Sequence, residues 1–180
     1  MLKTTLCYVY QGEKVLMVYR NKKKNDFHEG KWNGLGGKFE ASETALECVR
    51  REVYEESGLT ILNPKLIGVC FFPNFDTDDE WMYIYVAHDF TGAVRGCPEG
   101  ELHWILKDEL LNLNVWDSDH IFMPYVLNET FFTGIFNYEG KRLVSYKTEF
   151  VNEEKLHDFL TLSDSELERG LLFKENKKGC

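Results

Sequence analysis

Two runs of β-branched and aromatic residues, Leu6–Tyr10 and Val15–Tyr19, flank the polar stretch Gln11-Gly12-Glu13-Lys14. Apolar β-formers on either side of a short Gly-containing turn predict a β-hairpin. Further strands are predicted at Leu66–Phe72, Trp81–Ala87 and Leu102–Leu106. In Trp81–Ala87, the side chains of Trp81, Tyr83 and Tyr85 face one way and those of Met82, Ile84 and Val86 the other. Bulky residues on both faces predict a central strand covered on both sides. Helical periodicity runs from about Ser42 to Ser57, with Leu46, Val49 and Val53 as its apolar stripe. Thr44 and Glu47 have capping-box spacing, and Gly58 stands where a C-terminal cap belongs. Lys107–Leu113 reads as a short helix, Ile121–Asn128 and Glu153–Leu160 as further helices, and Phe131–Phe136 with Arg142–Tyr146 as a closing hairpin.

This mixture lacks both internal repeats and regular βαβ alternation, so the expected class is α+β or an α/β/α sandwich in a single domain. The folded domain is expected to span residues 1–150, with 151–180 a helical or partly mobile extension, since Ser163–Cys180 is highly charged. The length of 180 residues suits one ordinary domain. Hydrophobic and charged fractions of 43% and 28% exclude a disordered chain. No apolar run is long enough for a membrane helix, and Met1–Tyr10 is too short and polar to read as a signal peptide. Five widely spaced cysteines without a CxxC pair fit reduced thiols, so a cytoplasmic location is expected. The net charge of −9 weighs against nucleic acid as a partner. An anionic small molecule would then need a metal ion or a local basic patch. Arg20, Lys22, Lys23 and Lys24 offer one, with Arg20 at a strand end the best placed; a plain solvated loop is the alternative.

The chemistry concentrates between Gly37 and Leu59. On a helix Glu52, Glu55 and Glu56 share one face and repel one another. A hard divalent cation would relieve that repulsion; a solvated acidic face is the other reading. The glycines of Trp32-Asn33-Gly34-Leu35-Gly36-Gly37-Lys38 fit neither a P-loop nor a dinucleotide fingerprint, because Phe39 follows Lys38 and no G-x-G-x-x-G is present. The wider spacing is Gly37, five residues, Glu43, seven residues, Arg51-Glu52-Val53, one residue, Glu55-Glu56, one residue, Gly58-Leu59. That pattern is the complete Nudix box, and the chain resembles the Nudix hydrolases. The resemblance implies an α/β/α sandwich on a mixed sheet and a Mg²⁺-dependent (or Mn²⁺-dependent) attack of water on a phosphorus. It implies Glu52, Glu55 and Glu56 as metal ligands, with Glu52 alternatively helping to deprotonate the water. Gly37 would allow close backbone approach to metal or phosphate. Glu43, Arg51 and Gly58 would brace the loop and helix.

The stretch Lys31–Lys38 and the segment Trp116-Asp117-Ser118-Asp119, with Pro124 eight residues after the Trp, are similar to the MutT-type 8-oxo-dGTP diphosphatases. Glu99, five residues before Trp104, stands where that branch has a further carboxylate near the metals. The resemblance implies a purine gripped by Asn33, stacked on Trp116 and read by Asp119, with Phe27 and Phe72 as pocket walls. The single acid of Ser118-Asp119, where the human-type enzymes have two, fits bacterial members better. Other roles are open for these residues: a turn for Asn33, core for Trp116, an N-cap for Asp119. The expected activity is conversion of 8-oxo-dGTP to 8-oxo-dGMP and pyrophosphate by a monomer or homodimer with a small nucleotide substrate and no membrane partner. Another nucleoside diphosphate derivative, or a ligand-sensing module without turnover, is the alternative.

Overall fold

The computed structural model describes residues 1–22, 27–76, 78–151 and 166. The predicted hairpin forms between β1 (Leu2–Gln11) and β2 (Lys14–Tyr19), pairing Val9 with Leu16 and Tyr10 with Val15. There follow β3 (Trp32–Asn33), α1 (Ala45–Ser57), β4 (Thr60–Leu62), β5 (Lys65–Phe75), β6 (Asp78–Ala87), β7 (Asp89–Thr91) and β8 (Glu101–Leu106). A 3-10 helix at Lys107–Asn112, α2 (Asp117–Leu127), β9 (Phe132–Glu139) and β10 (Arg142–Phe150) complete the order.

One mixed sheet runs β10-β9-β5-β6-β1-β2-β3, with β8 also paired to β2. The parallel pairs are β1 with β6 and β5 with β9; β5–β6, β1–β2 and β9–β10 are antiparallel. A small second ladder joins β4 to β7. As its two bulky faces predict, β6 is interior. Trp81, Tyr83 and Tyr85 pack with Ala45, Val49 and Val53 of α1, and Ile84 and Val86 pack with Phe122, Met123 and Val126 of α2. The molecule is therefore an α/β/α sandwich. Among the described residues no helix is long and apolar enough to cross a membrane. Cys7, Cys48, Cys70 and Cys97 are buried free thiols.

Helix α1 starts later than its periodicity suggests. Thr44 is the N-cap, and its hydroxyl and Glu47 form the predicted capping box. Ser42 has φ 68°, which no helix interior permits. Leu46 is not part of the core stripe: it is 39% exposed, while Ala45, Cys48, Val49, Val53, Glu56 and Ser57 are buried. Successive helical residues lie about 100° apart, so a stripe centred on Ala45, Val49 and Val53 turns Leu46 outward. The stripe carries Glu56 into the interior instead. Gly58 closes the helix at φ 79°, its N–H donating to the Tyr54 carbonyl at 2.8 Å. The helix expected at Glu153–Leu160, the charged stretch Ser163–Cys180 (Glu166 apart), and Lys23 and Lys24 lie outside the described residues.

Phe132 is fully buried between Phe122, 5.8 Å away, and Tyr125, 4.9 Å away. It fits because position 68 is glycine: a Cβ there would lie 2.5 Å from the Phe132 ring. Phe132→Ala should cost about 3–5 kcal/mol in urea unfolding. Leu46→Ala should stay within about 0.5 kcal/mol, as surface changes do. A large loss for Leu46→Ala would contradict the observed helix register.

Candidate active site

The Gly-rich segment lies along the edge of β1 as an irregular ladder. Cys7 N–H donates to Leu35 O at 2.6 Å, Leu35 N–H to Cys7 O at 2.9 Å, Thr5 N–H to Gly37 O at 2.9 Å and Phe39 N–H to Lys3 O at 3.0 Å. Two glycines make this approach possible. A Cβ at Gly36 would lie 2.0 Å from the Thr5 carbonyl oxygen, and one at Gly37 would lie 2.5 Å from the Glu52 carboxyl carbon. The Gly36 N–H, free of the ladder, donates to Glu56 Oε2 at 2.8 Å.

Arg51 fastens this loop to α1. Its guanidinium meets both Glu43 oxygens, at 2.7 and 2.8 Å, and donates to Lys38 O at 3.0 Å. It also meets Glu52 at 2.7 Å and Glu55 at 3.3 Å. The Arg51 bonds hold the Glu43 carboxyl down at about 2. Glu56 is 5% exposed. Burial pushes its carboxyl up to about 8, opposed by the Gly36 N–H and reinforced by the charges of Glu99 and Glu52. Burial also raises Glu52; its bond to Arg51 opposes that, and Glu55 and Glu99 add to it. Glu99, in the loop before β8, is ion-paired to Arg20, which follows β2. The Glu55 side chain is 57% exposed and stands on the solvent side of the group.

Glu52 and Glu99 thus lie close enough to Glu56 to oppose its ionisation, beside the cradle that a Cβ at Gly37 would fill. Such a set of hard oxygen donors fits a divalent cation. Among the described residues no three His, Cys, Asp or Glu side chains are arranged at ligating distance. Arg51 holds Glu52 and Arg20 holds Glu99, each arginine supplying the positive charge that carboxylates in such proximity require.

A cavity of about 970 Å³ is lined by Arg20, Gly36, Gly37, Glu52 and Glu99 and also by Phe27, Asn33, Phe72, Trp116 and Asp119. The residues expected to handle phosphate and those expected to grip a base therefore share one space. Asn33 is on β3, paired with Val18, not in a turn. Trp116 is 5% exposed and its ring is covered. Phe27 stacks on it at 5.1 Å and 16°, Lys31 Nζ lies 5.2 Å from its centroid, and its Nε1–H donates to His28 Nδ1 at 3.0 Å. A base stacking on the face that Phe27 covers would have to displace Phe27. Asp119 is buried in the first turn of α2 rather than at its N-cap, a position that Trp116 holds without a side-chain bond. Burial pushes the Asp119 carboxyl up to about 7, against its bond from Ser118.

His28, Phe75 and Ser118 also line this cavity, and Tyr138 packs against Phe75 and Trp116; of the four only Ser118 is named in the sequence pattern. His28 is one of several scattered histidines, and Phe75 reads as core. Their proximity comes only from tertiary folding, and no local spacing announces it.

The Glu43–Arg51 brace has a pH signature. A carboxyl lowered in the folded state contributes stability that is present above its unfolded value and is lost as pH falls through the folded one. Acid titration should therefore remove the contribution between about pH 4.5 and about pH 2. Glu43→Gln should lower stability at neutral pH by about 1–3 kcal/mol and flatten this acid limb; an unchanged limb would contradict the brace.

The family model described as NUDIX domain matches residues 2–126. The oxidized purine nucleoside triphosphate hydrolase of Danio rerio is 34% identical over 142 residues, covering 78% of this chain and 88% of the relative. The protein of the same description from Mus musculus is 31% identical over 145 residues, 79% of this chain and 90% of its own. The crystal structure of the MutT protein from Bacillus halodurans superposes with a TM-score of 0.76 at 31% identity, over 83% of this chain and 98% of that one. The family match, the box on α1 and the sandwich around it agree, and the chain belongs to the NUDIX domain family, the Nudix hydrolases.

Proposed function

We propose that this protein hydrolyses a purine nucleoside triphosphate to the monophosphate and pyrophosphate, with 8-oxo-dGTP the favoured substrate. The cavity that Glu52 and Glu99 share with Asn33, Trp116 and Asp119 carries this reading. The names of the Danio rerio and Mus musculus relatives support it.

Phosphoryl transfer demands positioning and charge neutralisation more than covalent chemistry from the protein. In this reading Glu52, Glu55, Glu56 and Glu99 would hold Mg²⁺ or Mn²⁺, which would supply neutralisation of phosphate charge and acidification of water. Glu52 or Glu56 would take the proton from the attacking water. The water oxygen bonds to an inner phosphorus as the bridging bond to the pyrophosphate oxygen breaks. Gly36 and Gly37 leave the backbone open to the phosphates, and Arg20 holds Glu99 in place. At the other end Asn33 offers the base edge both a donor and an acceptor, Asp119 reads its N–H groups, and Phe27, Phe72 and Trp116 enclose it.

Pyrophosphate release with Mg²⁺ should show kcat/KM for 8-oxo-dGTP at least about tenfold above dGTP, or about 1.4 kcal/mol of transition-state binding. Turnover of ADP-ribose alone would keep the box and discard the base pocket. Glu56→Gln should lose at least about a hundredfold in kcat while remaining folded, since metal-site electrostatics supply several kcal/mol; wild-type turnover would remove Glu56 from the chemistry. Asn33→Ala should raise KM for guanine nucleotides more than it lowers stability, and an unchanged KM would leave Asn33 a purely structural strand residue.

A further inference from the structure

Asp119 is held by a chain of hydroxyls from two other positions. Tyr138, on β9, donates its phenolic proton to Ser118 Oγ at 3.0 Å and accepts the Ser118 N–H at 2.9 Å. Ser118 Oγ in turn donates to Asp119 Oδ1 at 3.3 Å. Ser118, Asp119 and Tyr138 are 2%, 6% and 8% exposed, so water does not compete freely for these bonds. The Tyr138 ring is fixed separately, edge-on to Phe75 at 5.0 Å and to Trp116 at 5.9 Å.

The directions of these bonds matter. With a lone pair of Ser118 Oγ taken by the Tyr138 proton, the serine proton is turned toward Asp119. A carboxylate that accepts this bond, and one from the Trp116 backbone, is favoured in its charged form, and Asp119 lines the cavity. A guanine edge presents two adjacent N–H donors to such a carboxylate. An adenine edge presents one donor beside an unprotonated ring nitrogen, which a carboxylate repels.

We infer that Tyr138 and Ser118 are positioning residues that fix Asp119 as a hydrogen-bond acceptor, so that the cavity selects the guanine edge over the adenine edge. This inference rests on the purine triphosphate reading above. It adds the device by which one acid, beside a serine, sets base choice. The groups facing Asp119 are Asp117 on its own helix, Lys31 before β3, Tyr8 from β1, Cys70 from β5 and Tyr138. Tyr8 and Cys70 are fully buried and kept neutral, since burial raises both. The titration that the relay biases is therefore that of Asp119 itself.

The test compares wild type, Tyr138→Phe and Ser118→Ala on 8-oxo-dGTP, dGTP and dATP with Mg²⁺, from pH 5.5 to 9. Tyr138→Phe keeps the ring and removes only the hydroxyl; Ser118→Ala removes the donor if the first variant does not fold. In either variant the dGTP-to-dATP ratio of kcat/KM should fall about tenfold. The loss should fall on KM for the guanine nucleotides rather than on kcat. The acid limb of their KM profile should move to higher pH, because the charged form of Asp119 loses its donor. Folded variants with the wild-type ratio and pH limb would overturn the relay alone, as would an equal rise in KM for dGTP and dATP. A wild type inactive on every purine triphosphate would overturn the substrate reading, and the relay with it.

Discussion

The hydrogen bond from Gly36 N–H to Glu56 sets the geometry of everything around it. A carboxylate on the core side of a helix would be costly without a partner, and Glu56 is carried inward with Val53 and Val49 by the phase of α1. The N–H that meets it is free because the loop runs along β1 with Gly36 stepping out of the ladder. That path exists only without a side chain, since a Cβ would strike the Thr5 carbonyl. The glycines, the β1 edge and the helix phase thus form one solution to one problem: placing a buried acid next to open backbone. Arg51 holds the same loop from the other side through Glu43 and Lys38 O, fixing the distance between loop and helix.

Around this point the molecule tolerates an accumulation of like charge that an ordinary core would not. The charges of Glu52 and Glu99 raise Glu56, that of Glu99 raises Glu52, and two arginines moderate the repulsion. Stability alone does not explain such a cluster, because apolar residues in its place would pack without repulsion. The proposed cation and phosphate site would explain it, and in a chain of net charge −9 such a cation would be recruited locally.

The parts legible in the sequence are those whose determinants are near one another in the chain. The box is read from its spacing, the start of α1 from Thr44 and Glu47, its end from Gly58, and the interior place of β6 from its two bulky faces. Leu46 misleads because an apolar residue at helical spacing has two possible stripes to join, and Ala45 with Cys48 decides between them only through packing against the sheet. The base end of the cavity is less legible still. Trp116 meets His28 across 88 positions of sequence and Ser118 meets Tyr138 across 20. Those contacts exist because the β9–β10 hairpin and the chain before β3 both fold against α2. Asp119 is visible in the sequence as an acid after a Trp; what holds it is visible only in three dimensions.

The two ends of the cavity use buried carboxyls in opposite ways. At the box the acids are crowded and held by arginines, so their common charge would be met by the divalent cation of the proposed reaction. At the far end one acid stands among aromatic rings, its first oxygen satisfied by a neutral hydroxyl whose own orientation is fixed from β9. A neutral hydroxyl donor keeps the bond to Asp119 directional, which in the proposed function would suit reading a pattern of N–H groups better than a salt bridge would. Burial that makes the carboxyl harder to ionise also makes each hydrogen bond to it stronger, since both follow from the low local dielectric. In the proposed reading base choice depends less on having the acid than on which way the neighbouring hydroxyls point.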